Sequence, residues 1–447
     1  MSALGSAGTR LGTVRRLSRN RDVQRLASCL AVGLVVALMT GRPGTVTAPT
    51  AGIAASLGHT RVFAFLGLGV LLWGVVFVRE RFREGIREAS DVLTGLPRQL
   101  LADRRVRYPS YLAVLALAVV LPPLLNSFWQ EVLVDQIGIY VLLALGLNVV
   151  VGYAGLLDLG YIAFYAIGAY TAAYWTGSLP VQPPMILNPF WTFPLAVLTA
   201  MIAGVILGAP TLRLRGDYLA IVTLGFGEII QIVATNLTSI DGGPQGVASA
   251  TGVPHFSIHL AGVHYRWTLA NLPYYYLLLG LVVVVLVGFR LLEESRVGRA
   301  WTAIREDEVA AEACGINALK YKILAFSIGA STSGFAGVLF ASKVGFFDPG
   351  VFTVQTSILV LVLVIFGGMG SLPGAVVGAA VLQWLPQWLR GRIQEQDLFI
   401  YVGAVLVAMM IFRPQGLIPS RRRSRELGLA ESGIGGADAM GAPGEAP

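Results

Sequence analysis

Charge is scarce in this sequence: 13% of its 447 residues are Asp, Glu, Lys or Arg, against about 25% in a soluble domain. With 55% hydrophobic residues and a mean hydropathy of +0.70, that shortage excludes an ordinary water-soluble domain and places the chain among membrane proteins. Lysine is almost missing. Lys320, Lys322 and Lys343 are the only three and none follows a glycine, so there is no P-loop, whose lysine must neutralise phosphates beside a magnesium-binding hydroxyl. The chain is not a Walker-type ATPase. Its two cysteines, Cys29 in an apolar run and Cys314 in a charged loop, supply neither a disulfide framework nor a thiolate metal site. Among the four histidines, His255 and His259 have helical spacing, but the intervening Phe256-Ser-Ile alternates like a strand and no third ligand accompanies them. Polar loop residues are expected there rather than a metal centre. No G-x-S-x-G nucleophile elbow occurs, and no facing set of His, Cys or carboxylates is visible, so a catalytic role is not expected.

What the sequence does hold is apolar runs of about 15–25 residues, without the dyad alternation of barrel strands. Backbone groups in hydrocarbon must be satisfied within helices or a closed barrel, so the fold class is an all-α polytopic transmembrane bundle. The 53 glycines and 22 prolines fit that class, because small residues let membrane helices approach closely. Spans are predicted at 26–39, 62–78, 108–125, 132–151, 159–175, 190–209, 218–236, 274–292, 321–341, 358–366 running into 367–370, 372–389 and 398–412. The first and tenth are short, and the tenth ends in a glycine break that suits a broken helix as well as a full span. The count is therefore about ten to twelve.

Orientation follows from the positive residues, which are retained on the cytoplasmic side. Segments 1–25, 79–107, 212–217, 290–322 and 413–447 hold 27 of the 33 lysines and arginines, leaving Arg42, Arg61, Arg266, Lys343, Arg390 and Arg392 for the other side. Both termini are thus placed in the cytoplasm, and the net charge of +8 is a topology signal rather than a nucleic-acid patch. The basic-then-apolar start lacks an A-x-A cleavage site and is expected to be a retained helix. Residues 1–107 form an N-terminal extension with two spans and a charged cytoplasmic connector. Residues 108–419 form the core, and the Gly/Ala-rich 420–447 is expected to be a disordered cytoplasmic tail.

Ionisable groups inside spans are costly and mark function by default. Glu228 lies eleven residues after Asp217, about 16 Å along a helix, near mid-membrane, with Gln231 on the same side. The patch is either part of a translocation path or an interhelical hydrogen bond that fixes packing. Asp217 reads as the N-cap of its span, and Asp135 as a boundary residue. Asp158 sits in Gly152-Tyr-Ala-Gly-Leu-Leu-Asp-Leu-Gly160, whose glycines permit a re-entrant turn beside a solute path. Val150-Val-Gly-Tyr-Ala-Gly155 is weakly echoed by Ile365-Phe-Gly-Gly-Met-Gly370, as in transporters built from glycine-broken helices. The loop from Arg296 to Gly315 is helical in period from about Gly298 to Cys314 and closed by glycine at a C-cap position. Its five alanines leave it little bulk to bury, so it is expected to dock on a partner outside the membrane.

These blocks resemble the membrane permease subunits of bacterial ATP-binding cassette (ABC) importers, specifically the LivM-type branched-chain amino acid permeases. The resemblance rests on Leu147-Asn-Val-Val-Val-Gly-Tyr-Ala-Gly155, Leu159-Gly-Tyr-Ile-Ala-Phe-Tyr-Ala-Ile-Gly-Ala-Tyr170, Leu212-Arg-Leu-Arg-Gly-Asp-Tyr-Leu-Ala-Ile-Val-Thr-Leu-Gly-Phe-Gly-Glu228 and Gly242-Gly-Pro-Gln-Gly246. It continues in Gly298-Arg-Ala-Trp-Thr-Ala-Ile-Arg-Glu-Asp-Glu308, Phe366-Gly-Gly-Met-Gly370 and Arg413-Pro-Gln-Gly-Leu417, nearly throughout 108–419. It implies a multi-pass protein of the bacterial inner membrane, with no cofactor in this chain. It further implies a second related permease, two cytoplasmic ATPases that bind ATP and magnesium, and a periplasmic solute-binding protein. By the same resemblance 299–315 is a coupling helix that contacts the ATPase through Arg299, Arg305, Glu306, Asp307, Ala310, Ala311 and Gly315. The loop reads Glu308-Val-Ala-Ala-Glu-Ala-Cys-Gly315, a departure from the importer signature Glu-Ala-Ala-x-x-x-Gly. The path candidates are Asn148, Gly152, Gly155, Tyr161, Glu228 and Gln231. Branched-chain amino acids are the expected cargo; related permeases carry urea, amides or other amino acids. A proton-coupled secondary transporter using Glu228 is the more distant alternative.

Overall fold

The computed structural model describes residues 115–211, 217–247, 252–260, 263–267, 271–390 and, near the end, 403, 405–407, 409 and 416–418. The expected spans at 26–39 and 62–78, the whole 1–107 extension, the 420–447 tail and most of 398–412 lie outside the described residues. Of the predicted 108–125 run, the described part is a short apolar helix, Leu115–Leu124.

From there the main helices among the described residues are α1 (Ser127–Tyr153), α2 (Ile162–Trp175), α3 (Pro189–Thr211), α4 (Asp217–Asn236), α5 (Asn271–Glu294), α6 (Arg296–Glu306), α7 (Glu308–Ala313), α8 (Ala318–Val344), α9 (Val354–Gly367) and α10 (Leu372–Leu389). Among the described residues, six helices are long and apolar enough to cross a membrane. The predicted 159–175 span is shortened to the 14 residues of α2, because the chain leaves the helix through the glycine-rich turn before it. One small hairpin interrupts the helices: Ser257–Leu260 (β1) pairs antiparallel with Val263–Arg266 (β2), with His259 opposite His264. The strand-like alternation after Phe256 is its local cause.

Helix α8 is the centre of the bundle and packs on α3, α2 and α1. Its small residues make this possible. A Cβ on Gly168 of α2 would lie 2.6 Å from the Gly334 carbonyl oxygen, one on Gly334 2.8 Å from that of Ala196 in α3, and one on Gly337 2.5 Å from that of Tyr165. Backbones therefore touch backbones, the packing that substitutes for a hydrophobic driving force between helices in lipid. The glycine break at 367–370 is real: Gly368 (φ 120°) and Gly370 (φ 79°) end α9, and Ser371 caps α10 by accepting from Gly374 N at 3.2 Å.

Two ends are distinguishable. At one lie the α1–α2 turn, the connector α6–α7, the α9–α10 turn and residues 416–418, where Leu417 N donates to Phe366 O at 2.9 Å. At the other, Val247 N meets Phe347 O at 2.9 Å, Val253 N meets Gly345 O at 2.7 Å, and Ser178 Oγ meets Gly252 O at 3.1 Å. This is the sorting of loops that the charge bias requires.

Candidate functional site

The connector is built to be held on one face and open on the other. Ser295 ends α5 and starts α6, its Oγ accepting from Val297 N and Gly298 N at 3.1 and 3.3 Å. Gly298 leaves room at the sharp corner, where a Cβ would sit 2.5 Å from the carbonyl oxygens of Leu292 and Glu293. The inward stripe of α6 is Ala300, Trp301 and Ile304, all buried, at the i, i+1, i+4 spacing of one helix face. Trp301 is fully buried and its indole N–H donates to Tyr321 O at 2.7 Å. Ile304, Ala311 and Ala318 form a satellite core with Ile316 and Tyr321. Glu308 and Lys322 form an ion pair of 2.6 Å that ties α7 to α8.

The single helix expected from Gly298 to Cys314 is instead two. Asp307 swings into an extended conformation (φ −155°, ψ 111°) and its carboxylate accepts from Val309 N and Ala310 N at 2.9 and 3.0 Å. An aspartate that caps the amides ahead of it starts a new helix rather than continuing the old one. The expected closing glycine is in place: Gly315 has φ 84°, and Ile316 N returns to Ala311 O at 3.0 Å.

The outer face presents Arg299, Glu306, Asp307, Ala310 and Gly315, all exposed. Ala311 faces the satellite core instead. Val309, which sequence reasoning passed over, is an apolar side chain 62% exposed amid these small and charged neighbours. Its only signal was a β-branched residue in a helix with no apolar periodicity to explain it.

The path candidates fall into three places. Asn148, Gly152 and Gly155 belong to the connector end. The helix α1 winds more widely there, as a π-helical stretch over Asn148–Tyr153, a feature frequent at functional positions. Asn148 is buried and its Oδ1 accepts from Gly370 N at 2.8 Å, so the two glycine-rich segments that echo each other in sequence meet in space. Arg305 donates to Gly152 O. Tyr161 is fully buried and donates to Gly329 O at 2.9 Å, inside the bundle.

The turn between α1 and α2 is satisfied by side chains from two other helices and by its own Asp158. Leu159 N donates to Thr223 Oγ1 of α4 at 3.1 Å, Ile162 N to Ser357 Oγ of α9 at 3.0 Å, and Gly160 N to Asp158 Oδ1 at 2.9 Å. Irregular backbone at membrane depth requires such partners.

Glu228 and Gln231 are separate from these, both half-buried on α4. Ile221, Gly225, Glu228 and Ile232 share one face by helical spacing. Ile221 and Ile232 are 65% and 56% exposed, and a Cβ on Gly225 would meet nothing within 4 Å. The carboxylate makes no hydrogen bond or ion pair with a described residue. A mid-span carboxylate on an open, apolar face does not suit lipid; it needs a covering surface or water.

At the opposite end Lys343, counted among the residues of the outer side, is buried. Its Nζ donates to Asn271 Oδ1 at 2.7 Å and lies 5.5 Å from the Tyr274 ring centroid. Beside it His255 Nδ1 is within 3.0 Å of Tyr274 Oη and 2.8 Å of Ser342 O, a loop-to-helix tie.

A family model described as the permease component of the branched-chain amino acid transport system matches residues 131–413. The chain is similar to the high-affinity branched-chain amino acid transport system permease protein LivM of Salmonella typhimurium, at 39% identity over 81% of this chain and 86% of that protein. It is 38% identical to LivM of Escherichia coli K12 over 82% of this chain and 87% of that protein. A weaker likeness, 26% over 53% of this chain and 68% of the relative, is to the autoinducer 2 import system permease protein LsrC of Escherichia coli. No solved structure matches the chain.

Proposed function

This chain belongs to the family of branched-chain amino acid transport permeases, and on that premise we propose that its connector α6–α7 receives the stroke of a cytoplasmic ATPase while α4 borders the solute path. The protein is the multi-pass inner-membrane permease subunit of an ATP-driven branched-chain amino acid importer, a family that works with ATPase and solute-binding-protein partners. A second related permease completes the membrane unit, and two ATPase subunits hold the ATP and magnesium. A periplasmic binding protein delivers the amino acid.

The observation that supports this most is the connector's asymmetry. Its inner face is anchored by Trp301, Ile304, Ala311 and the Glu308–Lys322 pair, whereas its outer face is exposed and low in bulk. A segment clamped to the bundle on one side carries an applied displacement into α8 instead of absorbing it. The open stripe of α4 is where the second permease closes over Glu228 and Gln231, which gives that carboxylate the polar surroundings it requires.

Reconstitution tests this reading. Proteoliposomes holding this chain, its partner permease and the ATPase pair, with the binding protein outside, are expected to accumulate leucine only when ATP is inside. Accumulation by this chain alone under an imposed pH gradient contradicts it.

A further inference from the structure

We propose that Arg305 is a positioning residue, which carries movement of the connector into the two glycine turns of the core rather than gripping the ATPase. This rests on the reading of α6–α7 as the ATPase-facing connector.

Arg305 sits in the last turn of α6 and its side chain runs back into the bundle. Nη1 donates to Gly152 O, one of the last carbonyls of α1, which lack a partner further along the helix. The stem of the side chain crosses Gly155, where a Cβ would lie 2.7 Å from Arg305 Cγ. A Cβ on Gly370 would lie 3.3 Å from Arg305 Nη1 and 3.2 Å from Gly152 O. Both glycines hold positive φ, 71° and 79°, so each is glycine for its backbone and for the room it leaves. Asn148 then closes the group by accepting from Gly370 N at 2.8 Å.

One side chain therefore touches three places: its guanidinium meets the end of α1 and the α9–α10 turn, and its stem meets the α1–α2 turn. The other anchors of the connector, Trp301 and the Glu308–Lys322 pair, lead to α8. Arg305 is the route to α1 and to the α9–α10 hairpin. A cation at the carboxyl end of a helix is stabilised by the helix dipole and makes a charge-assisted bond to a carbonyl. The planar guanidinium fixes the direction of that bond better than an ammonium does. Its exposed place in a charged cytoplasmic loop suggests a partner contact; its hydrogen bond to Gly152 O and its packing on Gly155 and Gly370 tie it to the two turns instead.

The test uses the complete complex carrying Arg305→Ala or Arg305→Lys, with leucine uptake, ATP hydrolysis and ATPase co-purification measured together. Arg305→Ala is expected to keep its ATPase and to go on hydrolysing ATP while leucine moved per ATP falls about 10-fold, the usual scale of coupling between sites. Arg305→Lys, which still reaches Gly152 O, recovers part of that loss. Loss of the ATPase from Arg305→Ala, or unchanged leucine per ATP, overturns the proposal.

A second readout needs no ATPase and so separates this proposal from the reading beneath it. Amide hydrogen exchange in the isolated permease is expected to rise about 10-fold at 153–156 and 368–371 in Arg305→Ala, with α8 unchanged. Equal exchange in the two proteins sinks the positioning role, whatever the ATPase does.

Discussion

Truncating Trp301 to alanine is expected to release the connector from the bundle while the membrane helices stay folded. The indole is fully buried and its N–H satisfies Tyr321 O at 2.7 Å. Phe/Trp→Ala truncation in a packed site costs about 3–5 kcal/mol, and the orphaned carbonyl adds roughly 1–3 kcal/mol if water does not reach it. What remains to hold the connector is the satellite core of Ile304, Ala311 and Ala318, the Glu308–Lys322 pair and the Arg305 bond to Gly152 O. Desolvation of the two charges offsets most of the attraction in such a largely buried pair, and single hydrogen bonds to a charged group contribute only about 1.5–3 kcal/mol, so these contacts do not make up that loss. Trypsin cleavage after Arg299 and Arg305 is therefore expected to accelerate roughly 100-fold or more in Trp301→Ala, since cleavage follows the population of the opened state. Trp301→Phe, which keeps the ring and loses the N–H, should fall between. Cleavage at the unsubstituted rate in Trp301→Ala would mean that the connector is held by something other than this anchor.

Glu228→Gln is expected to slow leucine uptake by about 10- to 100-fold in an intact complex. An amino acid crossing the membrane brings an ammonium that must be desolvated. A carboxylate at mid-span on the open stripe of α4 is suited to receive it, and Ile221 and Ile232 supply apolar surface for an aliphatic side chain. A hydrogen bond to a charged group contributes about 1.5–3 kcal/mol, which sets the range. Were Glu228 only a packing group between helices, the same substitution would preserve a hydrogen-bonding side chain of the same size and leave uptake unaltered. Uptake rate against subunit co-purification, measured on one preparation, separates the two outcomes.

Much of this was legible in the sequence, and the parts that were not share a cause. Helix positions follow from apolar run length, so α3, α4, α5 and α10 fall within three residues of the predicted spans. The glycine break after α9 and the C-cap at Gly315 were readable because positive φ is a local property of glycine. The kink at Asp307 was not, since a periodicity count sees a polar residue on a polar face and cannot tell a helical aspartate from one that caps the next helix. Convergence was hidden for a different reason. The blocks around Gly152, Gly160, Arg305, Gly370 and Gly416 are far apart in sequence, yet the structure gathers them at one end: Gly160 against Thr223, Arg305 against Gly152, and Gly416 against Gly368. Long-range pairing of small residues leaves no periodic trace. For the same reason Asn148, legible only as a polar residue in a span, turns out to hold the α9–α10 turn.

Coupling to an ATPase requires the connector to lie in the cytoplasm, and Cys314, exposed at the carboxyl end of α7, offers a natural probe of that. With Cys29 replaced by serine, a membrane-impermeant maleimide should label Cys314 in inside-out vesicles stripped of ATPase and leave it unlabelled in right-side-out vesicles. Labelling from the outside of right-side-out vesicles would contradict the orientation, and with it the proposed contact between α6–α7 and an ATPase.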